Sequence, residues 1–361
     1  MGRIGRVQGG GFTRTFCQRS PADHGAALWP LTPVTTPSSP WQPPESHQRG
    51  RGAGAGSFTT FMREASPSEL PVVVAAPDKV FWPEEGYTKL DLVEYYAAIF
   101  PKLLPYVRDR LFSLERCPEG MEGPCFYQKE IPAGMPPGTP TKRIQTPQGK
   151  RDAVDYVVGG SLETQLALAN LGCIAVHVMA GRATAPRCSD WMCFDLDPES
   201  GEFADAARAG LLVQEALKVL GLDSFPKTSG SRGLHVLVPL RTGPDASDVL
   251  AFAEKVGARL AAAHPGELTV EHRVSARGER VYLDPFRNGF GQTVVAPYSV
   301  RRRPHAPVST PLAWSEVRPE LRPTDFNLGN FVRRARRADP WSGFFRSRQS
   351  LANAERLLSQ L

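Results

Sequence analysis

The chain has 361 residues, 41% hydrophobic and 22% charged, with a net charge of +6. This is room for one large or two ordinary domains with a sizeable core, and the basic balance leans towards an anionic partner. No apolar run approaches the ~20 residues of a membrane span. The six cysteines form no C-x-x-C pair, which argues against structural zinc and a secreted disulfide scaffold and for a reducing, cytoplasmic compartment.

Residues 1–68 are rich in Gly, Pro, Ser, Thr and Arg, nearly free of acids, and lack an apolar period. They read as a disordered tail. An organellar transit peptide, or an upstream start with Met62 as the true one, suits the same composition. Residues 69–340 read as the ordered domain and 341–361 as a C-terminal helical tail. "PVVVAAPDKVFWPEEGYT" reads as a short strand followed by a Pro-broken loop. Thr88 then caps a helix, "KLDLVEYYAAIFPKLLPYV", with Tyr95, Tyr96 and Ile99 on its apolar face.

"RLFSLERCP" reads as a strand and "EIPAGMPPGTPTKRIQTPQGK" as a long Pro/Gly loop. Ser161 opens a helix that stops at Gly172. "CIAVHVMAG" and "WMCFDLDP" read as strands, "FADAARAGLLVQEALKVLG" as a helix, and "FPKTSGSRGLHVLVPL" as a loop running into a strand. "DASDVLAFAEKVGARLAAAH" is a further helix and "RVYLDPFRN" a further strand. "FVRRARRADPWSGFFRSR" reads as a basic helix surface, with nucleic acid as a secondary reading. Mixed strands and helices with aspartates at strand ends predict a sheet domain of α/β or α+β type.

Asp195 and Asp197 carry the first chemical signal. Residues i and i+2 of a strand point to one face, and two carboxylates held that close repel unless a cation neutralises them; a hard divalent cation takes such oxygens. The bland reading is a strand exit in which Asp caps the next turn. Asp284, ending "RVYLD", supplies a third acid, and three acids at strand ends suit two metals and phosphoryl transfer. In "KTSGSRGLHV", Gly230 and Gly233 free the backbone for an anion-binding nest and Arg232 adds a phosphate-matched fork. The loop lacks the spacing of a Walker A motif, and an ordinary Gly-rich turn remains the alternative. His177 sits mid-strand among apolar residues, either a core residue or a ligand to a substrate. Arg301, Arg302 and Arg303 follow Asp284 closely enough to share its site.

"FDLDP", "TSGSRGLHV", "VYLDPFRN" and "VAPYSVRRR", with "PDKVFWPEEGYTKLDLVEYY", "FYQKEIP" and "TPLAWSEV", occur here in an order and spacing that resembles the polymerase domain of bacterial DNA ligase D, within the archaeo-eukaryotic primase superfamily. The resemblance runs from about residue 71 to about 335. It implies an α+β primase-polymerase catalytic core, whose central mixed or antiparallel sheet has an RRM-like part and is flanked by helices. It also implies that Asp195, Asp197 and Asp284 hold two Mg²⁺ or Mn²⁺ ions, without zinc. By the same resemblance His177, Ser229, Arg232, His235, Arg287 and Arg301 contact the incoming nucleotide, and Lys79 and Lys89 hold the 5′-phosphate of a recessed or gapped DNA end. Arg232 replaces a lysine common in the family, and Ala76 stands where the family often has Asn before "PDK".

The implied activity is DNA-dependent nucleotidyl transfer, extending primers and filling gaps in non-homologous end joining with a preference for ribonucleotides. The implied partners are DNA ends, NTP or dNTP, a Ku-like protein and a separate ligase, in the cytoplasm at the nucleoid. The competing reading is a DNA-end-binding module without catalysis; a metal-dependent nuclease is weaker, because it leaves the SGSRG loop without a purpose.

Overall fold

A computed structural model of the chain describes residues 70–146, 152–241 and 243–360; the expectations for residues 1–68 lie outside them. The first paired strands among the described residues are a short hairpin, β1 (Val80–Trp82) and β2 (Tyr87–Thr88), which runs directly into helix α1 (Lys89–Val107). Thr88 caps α1 in a reciprocal box: its hydroxyl accepts from the Asp91 amide while the Asp91 carboxylate accepts from the Thr88 amide. The Tyr95, Tyr96 and Ile99 face is buried. Both phenols keep a partner there, Tyr95 donating to the Tyr298 carbonyl at 2.8 Å and Tyr96 to that of Ile174 at 2.6 Å.

Two five-stranded sheets form the frame. In the first, β3 (Arg110–Arg116) lies between β4 (Phe126–Gln128) and β7 (Cys173–Arg182), and β7 also pairs with β8 (Ala185–Ser189) and β14 (Val294–Val295). The second has the order β10 (Phe225–Thr228), β11 (Leu234–Pro239), β9 (Trp191–Pro198), β13 (Val281–Asp284), β12 (Leu268–Thr269). All pairings are antiparallel except β12 with β13. Helix α2 (Leu162–Asn170) packs on α1, and α3 (Phe203–Val219) covers β9 and β11. Helix α4 (Ala246–Ala263) packs on β8, β9 and β12. This is an α+β domain, as the resemblance implies.

Several local expectations are corrected. Val72–Val74 form no strand; strand pairing begins instead in the β1–β2 hairpin. The long Pro/Gly loop contains β5 (Thr141–Gln145), which pairs with β6 (Ala153–Val157) in a separate ribbon. "FPKT", read as loop, is the edge strand β10, where the missing amide of Pro226 is tolerated. The basic carboxy-terminal segment is helical only over α5 (Leu328–Ala335) and α6 (Leu351–Leu358). Between them Trp341 and Phe344 stack at 5.0 Å and are buried against Tyr106 of α1, so they are core rather than surface. Cys117 and Cys125 form a disulfide that closes the turn between β3 and β4.

Candidate active site

Strand β9 is the spine of the site. Its register sets Asp195 opposite His235 on β11 and opposite Asp284 on β13, while Asp197 faces Tyr282. The three predicted carboxylates therefore come from two adjacent strands. Arg287, on the 3-10 turn Phe286–Asn288 that follows β13, reaches back between them. Its Nε lies 3.0 Å from Asp195 Oδ2 and 3.1 Å from Asp284 Oδ2. The other oxygen of Asp195 is 3.1 Å from His235 Nε2. Among the described residues no three His, Cys, Asp or Glu side chains converge closely enough to hold a metal ion; here a guanidinium is the cation that two of the carboxylates share.

Burial and charge set the protonation of this cluster. Burial drives His235 down to about 4, helped by the charge of Lys227, so at neutral pH it serves Asp195 as a neutral hydrogen-bond donor. Burial also opposes ionisation of Asp195, but the contacts from His235 and Arg287 overcome it and hold the carboxyl well below its usual range. Since His235 is neutral, the stabilising charge is that of Arg287. Asp197 lacks such a contact. Burial and the neighbouring Asp195 charge push it up to about 7. Burial likewise raises Asp284, against the pull of Arg287.

A cleft of about 350 Å³ opens over these groups, bounded by β7 and β14 of one sheet and β9 and β11 of the other. His177, Ser229, Arg232, His235, Arg287 and Arg301 all line it, together with Asp195 and Asp197. His177 is therefore not a satisfied core residue: its buried Nε2 has no hydrogen-bond partner among the described residues, and neither have His235 Nδ1 and Arg301 Nε. Burial, then the charges of Arg301 and Lys227, keep His177 well below its ordinary pKa, hence neutral.

The SGSRG loop is jammed against β9. A Cβ on Gly233 would sit 2.4 Å from the Leu196 carbonyl oxygen, and Gly230 adopts φ +70° with the Ser309 amide 3.0 Å from where its Cβ would be. The expected nest of free amides is corrected. Ser229 Oγ already accepts from the Ser231 and Gly233 amides, at 3.2 and 3.1 Å. The cleft's anion-facing groups are instead side chains: Arg232 and Arg301, the latter held by its Nη1 donating to the Ser229 carbonyl at 2.6 Å.

Two groups escaped the sequence reading. Tyr127, 62% exposed on β4, meets the His177 ring edge-on at 5.5 Å and presents an aromatic face to the cleft; its place in the quoted "FYQKEIP" was the available signal. Lys227 is fully buried and donates to Ser309 Oγ at 2.7 Å, and that hydroxyl donates on to the Thr228 carbonyl at 2.9 Å. Burial pushes its amine down to about 7. Nothing in "FPKTSG" distinguishes it from a solvated loop lysine.

Lys79 and Lys89 line a different part of the molecule, beside the β1–β2 hairpin. Lys79 Nζ pairs with Glu119 at 2.5 Å, and the buried Lys89 donates to the Ala75 carbonyl at 2.6 Å. Burial, then the Lys79 charge, lowers the pKa of Lys89. Ala76 between these partners has φ +48°, a left-handed conformation that Asn adopts more readily than Ala. A larger groove, about 590 Å³, lies between α4 and α6 and contains none of these residues.

A two-sheet α+β frame with acids at its central strand and arginines across a shared cleft is the architecture of the primase-polymerase class. The sequence pattern described as "LigD, primase-polymerase domain" matches residues 88–341, and the chain belongs to this family. It is 32% identical over 264 residues to the multifunctional non-homologous end joining protein LigD of Mycobacterium bovis, covering 70% of this chain and 34% of that protein. The bifunctional non-homologous end joining protein LigD of Bacillus subtilis is 26% identical over 299 residues, 81% of this chain and 47% of the relative. The chain thus spans about a third to a half of these relatives' lengths. Among solved structures, the polymerase domain from Mycobacterium tuberculosis Ligase D in complex with DNA matches with a TM-score of 0.72 and 29% identity, over 78% of this chain and all of that one.

Proposed function

We propose that this chain is a DNA-dependent nucleotidyltransferase that extends a primer 3′-hydroxyl and fills gaps in non-homologous end joining, with ribonucleotides preferred. The observation that carries the reading is the cleft itself: the β9 carboxylates Asp195 and Asp197 line it with arginines, Asp284 stands beside Asp195 on the neighbouring strand, and buried His177 and Arg301 nitrogens are left without partners among the described residues. Buried polar atoms are rarely left so unless a ligand satisfies them.

The donor set fits a divalent cation. Its oxygens are hard ligands, and the guanidinium lying between Asp195 and Asp284 supports a place for positive charge there. Asp195, Asp197 and Asp284 would hold Mg²⁺ or Mn²⁺, two ions in the full site, to lower the pKa of the primer hydroxyl and balance charge on the departing pyrophosphate. Arg232, Arg287 and Arg301 then bind the triphosphate, and Ser229 keeps Arg301 aimed at it. His177 and His235, both neutral, orient the nucleotide by hydrogen bonds without adding charge to an already basic cleft. Lys79 and Lys89 hold the downstream 5′-phosphate.

The relatives named for non-homologous end joining and the neighbour solved with DNA support this reading. A Ku-like protein and a ligase activity complete the repair, in the cytoplasm at the nucleoid. A reducing compartment would open the Cys117–Cys125 bond; its turn would remain anchored through the Met121 amide, which donates to Phe81 at 2.9 Å. The test is primer extension on gapped, 5′-phosphorylated DNA, with NTP or dNTP and Mg²⁺ or Mn²⁺. DNA binding without incorporation under every combination would make the chain an end-binding module instead.

A further inference from the structure

Three features of Arg287 set it apart from the other cleft arginines. It touches carboxylates, with one nitrogen against both Asp195 and Asp284. Its backbone is locked: Asn288 beside it donates to the Cys193 and Pro285 carbonyls and accepts from the Cys193 amide, all within 2.9 Å. Its side chain is nevertheless 38% exposed and lines the cleft that Arg232 and Arg301 face. The anchor is held by hydrogen bonds while the tip reaches the open cleft. Arg301, by contrast, is tied to the Ser229 carbonyl.

We propose that Arg287 is a tethered counterion that occupies the carboxylate cluster until a divalent cation arrives with a nucleoside triphosphate, whose phosphates then take up the displaced guanidinium. The proposal rests on the metal and triphosphate assignments above and concerns the order of events at that site. One oxygen of Asp195 accepts from His235, so a cation seated between Asp195 and Asp284 competes for the oxygen that Arg287 holds. Two positive centres cannot share it in a buried site, because their repulsion is weakly screened there. The guanidinium must leave, and a desolvated arginine needs another anion. The nearest place for one is the cleft between Arg232 and Arg301. Cation and triphosphate therefore assist each other's binding, and by linkage each strengthens the other equally.

The consequence is measurable without turnover. Mn²⁺ binding to the nucleotide-free full chain is followed by the loss of the free-ion paramagnetic resonance signal, with thermal melting in EDTA and in Mn²⁺ as a second readout. Arg287→Gln is expected to bind Mn²⁺ at least ~10-fold more tightly than the wild type, about the low end of ordinary coupling between two sites, and to gain more melting temperature from the ion. Arg287→Lys, which keeps a charge, should gain less. Adding Asp195→Asn to Arg287→Gln should abolish the gain. Equal or weaker Mn²⁺ binding by Arg287→Gln, while Asp195→Asn still weakens binding by the wild type, would overturn the counterion role and leave the metal assignment standing. A Lys variant that gains as much as the Gln variant would also overturn it. No Mn²⁺ binding by any variant would remove both the counterion role and the metal assignment.

Discussion

His235 and Asp195 face each other across β11 and β9, with Nε2 of the imidazole 3.1 Å from Oδ1 of the carboxylate. The pair is a neutral donor on an ionised acceptor, since burial keeps the imidazole uncharged. The other oxygen, Oδ2, is held by Arg287 Nε at 3.0 Å. Both oxygens of Asp195 are thus partnered, one by His235 and one by Arg287.

Asp195→Ala, or Asp197→Ala, is expected to reduce nucleotide incorporation by at least ~10³-fold, because cation-mediated charge stabilisation is worth several kcal/mol in such sites. DNA binding should stay within about twofold, since neither side chain belongs to the basic surfaces that would meet phosphates. Primer extension run beside a mobility-shift titration checks both halves. Wild-type turnover in either variant would sink the metal assignment.

The raised Asp197 carboxyl makes a stability prediction for the metal-free protein. Its folded value, about 7, lies above the ordinary 3.8. Between those two values the folded chain keeps a proton that the unfolded chain gives up, so stability falls as pH rises through this window. Asp197→Asn removes that loss. In EDTA the variant should melt above wild type, and its advantage should be larger at pH 8 than at pH 5 by on the order of 1–3 kcal/mol, the part of the window that lies above pH 5. An equal difference at both pH values would mean that Asp197 does not carry the buried charge.

Most of the site was legible because it follows strand periodicity and short motifs. "WMCFDLDP" is strand β9 to the residue, and the i, i+2 rule placed Asp195 and Asp197 together. Ser161 and Thr88 cap the helices that their positions predict. What escaped depends on which strand pairs with which. Asp284 joins Asp195 only through the β9–β13 register, and the position of Arg287 between them follows from that register. Pro226 concealed the edge strand β10, and Lys227 on it became a buried amine only once Ser309 was packed beside it. The loop amides of Ser231 and Gly233 looked free in sequence because their acceptor, Ser229 Oγ, is a side chain of the loop itself.

Gly233→Ala tests whether that loop must lie flat on β9. The added methyl would meet a backbone carbonyl, that of Leu196, which cannot rotate away without breaking the β9–β11 pairing. The loop should lift instead, at a cost of ~1–3 kcal/mol for overpacking, carrying Ser229 and Arg301 with it. We expect a folded protein whose KM for nucleotide rises roughly 10-fold or more, since misplacement by about 1 Å can cost up to ~100-fold. Unchanged KM with lowered melting temperature would confine the glycine to a structural role.

The proposed 5′-phosphate pocket holds a competitor for the phosphate within the chain itself. Lys79 is paired with Glu119, and Lys89 spends its buried amine on the Ala75 carbonyl. A terminal phosphate entering here must displace Glu119 from Lys79, then offer Lys89 the anion that its desolvated amine lacks. Lys79→Ala and Lys89→Ala should each weaken binding to phosphorylated gaps, with little effect on the same DNA lacking the phosphate. Glu119→Gln should do the reverse, and by a bounded amount: an exposed ion pair is worth ~0.2–1 kcal/mol, so its loss can strengthen phosphate binding up to about 5-fold. A general electrostatic role for the lysines would weaken both DNAs alike, because contacts to backbone phosphates are sequence-blind and screened by salt. The deciding quantity is the ratio of affinities for phosphorylated and unphosphorylated gaps at one fixed salt concentration. Wild type should favour the phosphorylated gap, Glu119→Gln should widen the ratio, and either lysine variant should bring it towards one. A wild-type ratio of one would mean that Ala76, in its left-handed conformation where an asparagine would fit, has cost the pocket its grip.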